Sequence, residues 1–401
     1  MRIGILTFHR SYNYGAFMQC FSLSQKLKKD FPQHKVEVID FTNRSAMEGY
    51  ANAINQIKNP EIKEKIKIRN NAFLKPQEEL PLSEMKIVSN DYSEAIEYMN
   101  NNYDAVVVGS DAVWNWVVRG FPNLYFLKEY RGHKYSYAAS AHGLKYQDMS
   151  DEQKKYLKEA FSEFEYIGVR DLTTENMVKF ANPESQVFHN CDPTAFLEVE
   201  SIPCDIEKLK SKLIDKGVDF SKPLIGIMAT NAIGKQIKRK FKNRVQLIAV
   251  YEPNKYADIF LNDLTPYEWA RVFSFFTATV THFFHGTMLS LVNGVPVIPV
   301  EFVNNFSAVN KTKIEDVMTR LDLLEWRFSA NYLNNTFIKK VLKRLGLWED
   351  KRLWNGVNKL LDDMLNNDYK DIILEKIRNE AQNYNSFRSA LNKIDGDIKN
   401  D

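Results

Sequence analysis

Residues 103–109 read Tyr-Asp-Ala-Val-Val-Val-Gly, a β-branched run with almost no polar alternation. A strand with one wet face alternates, so an apolar run implies a strand covered on both faces, the environment of a parallel sheet flanked by helices. Further short strands are expected at Arg2–Phe8, Lys35–Phe41, Lys134–Ala139, Tyr166–Arg170, Pro223–Met228, Val245–Tyr251, Thr277–His282 and Gly294–Val300. Helix-period stretches intervene, as at Ala16–Lys29, where Phe17, Cys20, Phe21, Leu23 and Leu27 recur at helical spacing. Strand, helix and strand in alternation predict right-handed βαβ units.

The pattern runs to Asp192-Pro-Thr194 and then restarts. The 401 residues accommodate two domains at about 150 residues each. The expectation is an α/β fold with a Rossmann-like domain over 1–195, a second over 196–330, and a C-terminal helical segment over 331–401 ending in a frayed tail. Residues 43–100 are polar and mostly helical in pattern, and their basic positions read as solvated helix surface. Folds of this kind bind ligands at the carboxyl ends of their strands, so two of them place a cleft between two such edges.

Composition narrows the class. Cys20, Cys191 and Cys204 are too few and too scattered for a disulfide framework, form no C-x-x-C pair, and read as reduced, buried thiols. The opening apolar run reaches His9-Arg10-Ser11 too soon for a secretory signal, and no apolar stretch approaches the roughly 20 residues that cross a bilayer. A soluble, cytoplasmic protein is expected. The net charge of +3 gives no argument for a nucleic-acid partner. One run is asymmetric: Gly234–Arg244 carries six basic residues and no acid. It reads as a solvated helix face, or as an attractor for a pyrophosphate-bearing or anionic membrane surface, which would make the protein peripheral at the membrane's inner face.

Four strand-end segments are candidates for chemistry. His9-Arg-Ser-Tyr-Asn13-Tyr14-Gly15-Ala16 opens a helix, where free N–H groups receive an anion or a sugar hydroxyl, or where Asn13 simply caps. Gly109-Ser110-Asp111-Ala-Val-Trp-Asn115 offers hydrogen-bonding groups past a buried strand, or a Ser/Asp cap beneath a core Trp114. Arg170 ends another strand with a guanidinium suited to a carboxylate or phosphate, or paired with Asp171 or another local acid. Thr281-His282-Phe283-Phe284-His285-Gly286-Thr287 sets an imidazole beside a helix N-terminus, suited to acid–base work on a phosphorylated substrate. His282 and His285 have no third partner at metal-ligand spacing, and no metal is expected. The lone D-x-D, Asp395-Gly-Asp397, falls in the expected tail. A G-x-G-x-x-G fingerprint, a Walker loop and a G-x-S-x-G elbow are absent from the sequence.

Taken in order, these motifs resemble the polysaccharide pyruvyl transferase family. The resembling stretches are Ile3–Gln19, Tyr103–Asp111 with Trp114-Asn115, Tyr135–Ser140, Gly168-Val-Arg-Asp171, Asp192-Pro-Thr194, Phe284-His-Gly-Thr287 and Asn310–Asp316. The resemblance implies a glycosyltransferase-B-like arrangement of the two domains. It also implies transfer of pyruvate from phosphoenolpyruvate onto two hydroxyls of a sugar in a bacterial-type surface polysaccharide or its lipid-linked precursor, with release of phosphate and no cofactor. On that likeness His285 is the acid–base residue, Arg170 holds phosphoenolpyruvate, and Asn13, Tyr14, Gly15, Ser110, Asp111, Gly286 and Thr287 line the substrate. Two departures stand out: His282-Phe283 where relatives usually have Asp-Ser, and Ala112 where they commonly have Gln. The alternatives are a metal-independent enzyme of the same architecture using a nucleotide-sugar donor, and a non-catalytic glycan-binding relative.

Overall fold

The computed structural model describes residues 1–141, 143–303, 312–331 and 351–398. The chain divides into two compact units, one of Met1–Leu197 joined by the chain from Asn379, the other of Glu198–Arg378. In the first, β1 (Arg2–Leu6) is followed by α1 (Tyr14–Asp30), β2 (Lys35–Val38), β3 (Phe41–Asn43), α2 (Arg44–Asn55), α3 (Pro60–Glu78), β4 (Ile87–Ser89) and α4 (Ser93–Asn102). Then come β5 (Ala105–Val108), α5 (Trp116–Arg119), β6 (His133–Ala139), α6 (Asp151–Ser162), β7 (Phe164–Val169), α7 (Leu172–Ala181) and β8 (Val187–His189). Its main sheet is parallel, ordered β2-β1-β5-β6-β7-β8, with the winding reversing between β1 and β5. The four residues of β5 are fully buried, as an apolar run in an interior strand requires.

The second unit contains α8 (Ile206–Asp215), β9 (Leu224–Met228), α9 (Asn231–Phe241), β10 (Gln246–Val250), β11 (Ile259–Leu261) and α10 (Pro266–Val272). It continues through β12 (Ala278–Thr281), α11 (Phe284–Val292), β13 (Val297–Val303), α12 (Lys313–Arg320) and β14 (Phe328–Asn331). This sheet is also parallel, ordered β11-β10-β9-β12-β13-β14, and reverses between β9 and β12. Renumbered within the unit the order is 3-2-1-4-5-6, the dinucleotide-fold winding, whereas the first unit winds 2-1-3-4-5-6, closer to the flavodoxin order. Both are Rossmann-like α/β units, as the alternation predicts.

Helix starts follow local chemistry. Asn13 accepts from the Ala16 amide at 3.1 Å, Asp171 caps α7, and Ser150 with Gln153 and Thr265 with Glu268 form reciprocal capping boxes.

Three differences from the sequence reading have physical causes. The strands β8, β11 and β14 are absent from the expected set, because each is an edge strand of only three or four residues, too short to show a pattern. The expected strand 35–41 breaks after Val38, and Phe41–Asn43 pairs instead with Ile87–Ser89 in a separate two-stranded sheet. The segment expected as one C-terminal helical piece is shared between the units. Helix Lys351–Asn366 packs on α9 and the strands β12–β14, while Tyr384–Ile398 docks on the first unit. There Phe387, fully buried, lies 4.9 Å from the Tyr137 ring and 5.4 Å from Tyr166, and Ser386 and Tyr166 share a 2.7 Å hydroxyl contact. The stretch expected to fray is helical as far as Ile398, and Asp395 and Asp397 fall within that helix. Residues 332–350 of that segment lie outside the described residues.

Candidate functional site

Each sheet reverses its winding at one crevice, and the sequence motifs collect there. In the first unit the crevice between β1 and β5 is closed by its own side chains. Gln19 of α1 donates to the Thr7 hydroxyl at 2.9 Å and accepts from the Ser110 amide at 2.9 Å, while Thr7 donates to the Ser110 carbonyl at 3.1 Å. Ser110 is fully buried, and its hydroxyl donates to the Ala138 carbonyl. Asp111 follows with φ +79°, in the left-handed region that L-residues adopt rarely, and stays partly exposed.

Arg170, at the end of β7, is 2% exposed. Its guanidinium donates to Asp192 at 2.8 Å and reaches Asp111 at 3.5 Å. Burial alone would lower its pKa, but the charges of Asp192, Asp111 and Asp171 outweigh this and hold it above the ordinary arginine value. Asp192 also accepts from the Thr194 amide and hydroxyl. Asp171 caps α7 and takes the Ser140 hydroxyl at 2.6 Å. The structure therefore gathers Ser110, Asp111 and Arg170 around the ends of β5–β7. It pairs Arg170, which the resemblance implies holds phosphoenolpyruvate, with the buried Asp192 and the partly exposed Asp111.

Asn13, Tyr14 and Gly15 form the start of α1. Asn13 caps it, and Tyr14 and Gly15 are buried, Tyr14 with its ring 4.6 Å from Phe73. The preceding residues show what sequence reading missed. His9, fully buried, sits 2.9 Å from Asp40, and Arg10 donates to Asp40 and Glu78. Burial pushes Asp40 up, but Arg10 and His9 more than reverse it, holding its carboxyl well below the usual range. The signal was the single Asp ending the second predicted strand, too common alone to mark a partner for the first loop.

In the second unit the crevice between β9 and β12 receives the N-termini of α9 and α11. Phe283, at the cap of α11, makes no side-chain cap bond; its amide donates to the Thr281 hydroxyl at 2.9 Å. His285 lies on the first turn, partly exposed, with Phe284 5.2 Å away edge-on. Gly286 is required by packing: a Cβ would lie 2.7 Å from Met228 Cε and from Thr281 Oγ1. Thr287, fully buried, donates to the Phe283 carbonyl at 3.1 Å. So His285, Gly286 and Thr287 share one helix turn, and the last two shape it.

The His282 ring lies 4.2 Å from that of Phe283, tilted by 40°, and its Nε2 is 3.8 Å from Glu252. Burial lowers its pKa against the pull of Glu252, so the ring is neutral at pH 7, and its buried Nδ1 meets no hydrogen-bond partner. The Thr230 hydroxyl, at the cap of α9, is likewise buried without a partner. Asn254 ties this turn together, donating to the carbonyls of Ala229 and Thr230. The basic run occupies α9 and the turn after it, with Ile233, Ile237 and Phe241 inward. Lys238 pairs with Asp258 at 2.7 Å, and Arg244 lies 3.6 Å from Asp362.

Among the described residues no three His, Cys, Asp or Glu side chains gather as metal ligands, and no helix is long and apolar enough to cross a membrane. Cys20 and Cys191 are buried, Cys204 only partly.

Among solved structures, the chain is similar to UDP-GlcNAc 2-epimerase from Methanocaldococcus jannaschii, at 12% identity over 91% of this chain and 99% of that one, TM-score 0.48. It is also similar to UDP-GlcNAc 2-epimerase from Neisseria meningitidis bound to UDP-GlcNAc, at 11% identity over 94% and 100%, TM-score 0.46. A glycosyltransferase from Rickettsia africae ESF-5 shares 12% identity over 95% and 97%, TM-score 0.45. At these scores the likenesses add nothing to the fold read from the two sheets. No curated protein sequence matches the chain. The polysaccharide pyruvyl transferase family matches residues 13–302, from the cap of α1 to β13. That stretch holds the second winding reversal, the Arg170 cluster and the His285 turn, and the chain belongs to the polysaccharide pyruvyl transferase family.

Proposed function

We propose that the protein transfers pyruvate from phosphoenolpyruvate onto two hydroxyls of a sugar as a ketal and releases phosphate. The observation that carries this reading is His285 on the first turn of α11, where the helix N-terminus has no side-chain cap and the winding reverses. A helix start of this kind favours an anion such as the donor phosphate or carboxylate. Ketal formation delivers a proton to the methylene carbon, adds one hydroxyl at the adjacent carbon, expels phosphate and adds the second hydroxyl. A single imidazole beside the bound anion serves as acid and then as base. His282, kept neutral, faces the same turn. Arg170 acts in this reading by holding Asp111 in place at the ends of β5–β7.

The acceptor is a sugar of a surface polysaccharide or its lipid-linked precursor. The exposed basic residues of α9 and its following turn, Lys235, Lys240 and Lys242, support a peripheral approach to an anionic surface. Phosphate release from phosphoenolpyruvate, with galactosyl, mannosyl, glucosyl and N-acetylhexosaminyl acceptors in free and lipid-linked form, tests the reaction. Acceptor-dependent release with a product heavier by a pyruvate ketal supports it, as does loss of turnover in His285→Ala with donor binding retained. Full turnover in that variant removes the mechanism. The second reading, a nucleotide-sugar transferase, is favoured by the 3-2-1-4-5-6 winding, whose two helix starts also suit a diphosphate; transfer from a nucleotide sugar in the same assay selects it.

A further inference from the structure

The first unit holds a cavity of about 960 Å³ that no catalytic residue named above lines. Its walls are the loop after β1, the strand β3 and the α2–α3 hairpin. That volume sits at the upper end of the roughly 300–1,000 Å³ typical of small-molecule sites.

Two observations indicate that the cavity is built for a ligand. Met47, Tyr50, Ala51 and Ile54 fall at i, i+3, i+4 and i+7 of α2, a single apolar stripe, and all four line the cavity. No residue of α2 is buried, and Met47 and Tyr50 remain 48% and 42% exposed, so the stripe has no core to cover. Across from it, Asn70 of α3 also lines the cavity, is 7% exposed, and its amide oxygen meets no hydrogen-bond partner. An unpaired buried amide oxygen carries a desolvation penalty that an entering donor removes.

The chemistry of the walls selects the ligand. Three edge-to-face aromatic pairs contribute to them: Tyr12–Tyr50, Phe41–Tyr92 and Phe8–Tyr125, with centroids 6.1, 6.0 and 5.0 Å apart. Such ring faces receive the C–H face of a pyranose, while amides receive its hydroxyls. Arg10, beside them, is held by Asp40 and Glu78, and the exposed Lys67 and Lys86 add hydrogen-bond donors to the walls. We infer that this cavity binds a saccharide, as the seat of the acceptor glycan.

The inference deepens the proposed transfer and rests on its acceptor being a sugar, but its test reads binding and not turnover. Saturation-transfer NMR on the full chain, with neutral di- to tetrasaccharides of galactose, mannose, glucose and N-acetylhexosamine, identifies a bound saccharide. Titration of that saccharide into variants locates it. Tyr50→Ala and Asn70→Ala should each weaken binding at least tenfold, and His285→Ala should leave it unchanged. Tyr50 and Met47 are exposed, so Tyr50→Ala and Met47→Ala keep the test valid if Asn70→Ala does not fold. Saccharide binding indifferent to Tyr50→Ala and Met47→Ala overturns the inference, as does a wild-type protein that binds none of the panel, or binds only an isoprenyl phosphate. Failure of the pyruvyl reading shows separately, as no acceptor-dependent phosphate release by a protein that still binds the saccharide.

Discussion

The two winding reversals are built alike and finished differently. Between β1 and β5 the crevice is filled by the chain itself, with Gln19, Thr7 and Ser110 satisfying one another and Arg170 held between Asp192 and Asp111. Between β9 and β12 polar groups are left over: the uncapped start of α11, the Thr230 hydroxyl and His282 Nδ1. Buried polar groups in folded proteins are usually paired, so leftover ones single out a crevice as a candidate binding site. Under the proposed function the first crevice is a structural joint and the second a receiving site.

That contrast is testable by separating stability from turnover. His285→Ala should lower turnover by about 10²–10⁴-fold, the usual contribution of a positioned acid–base group, while its thermal midpoint stays at the wild-type value; a large drop in the midpoint would make His285 structural. Arg170→Ala should do the reverse, lowering unfolding free energy in urea by roughly 3–5 kcal/mol because buried carboxylates lose their partner. A folded Arg170→Ala of wild-type stability that no longer binds phosphoenolpyruvate would turn the first crevice into a donor site and end the contrast. Gly286→Ala forces a Cβ against Met228 and Thr281 and should destabilise by about 1–3 kcal/mol, with turnover falling as the α11 start shifts; full activity would show that the turn tolerates displacement.

The smallest effect concerns pH. Burial lowers the His282 pKa, so below the unfolded value of about 6.5 the unfolded chain binds a proton that the folded state resists. Stability should therefore decline as pH falls from about 6.5. His282→Gln should flatten that part of the profile in urea titrations at pH 7 and pH 5.5, and an unchanged slope would place the dependence elsewhere.

Much of this frame is legible in the chain. The apolar runs mark β5 and β9 because interior parallel strands need continuous apolarity, and Asn13 announces the start of α1. The edge strands β8, β11 and β14 are too short, at three or four residues, for a pattern to stand out. The partner of Arg170 is legible only as some acid: the nearest, Asp171, is taken by the cap of α7, and Asp192 arrives from 22 residues on. The α2–α3 cavity is the least readable feature. Its stripe from Met47 to Ile54 looks like any solvated amphipathic helix, and only the fold brings Tyr12, Asn70 and Tyr92 to face it.

The helix Tyr384–Ile398 has a further consequence for how the molecule is made. It completes the first unit by covering Tyr135, Tyr137 and Tyr166, yet it is synthesised after all of Glu198–Arg378. At about 5–20 residues per second the ribosome takes roughly 10–35 s to traverse that stretch. Throughout that interval the emerging first unit carries an uncovered aromatic face, while the later unit can close first. Birth order and completion order are thus inverted, and the aromatic face is the surface that a nascent-chain chaperone would meet.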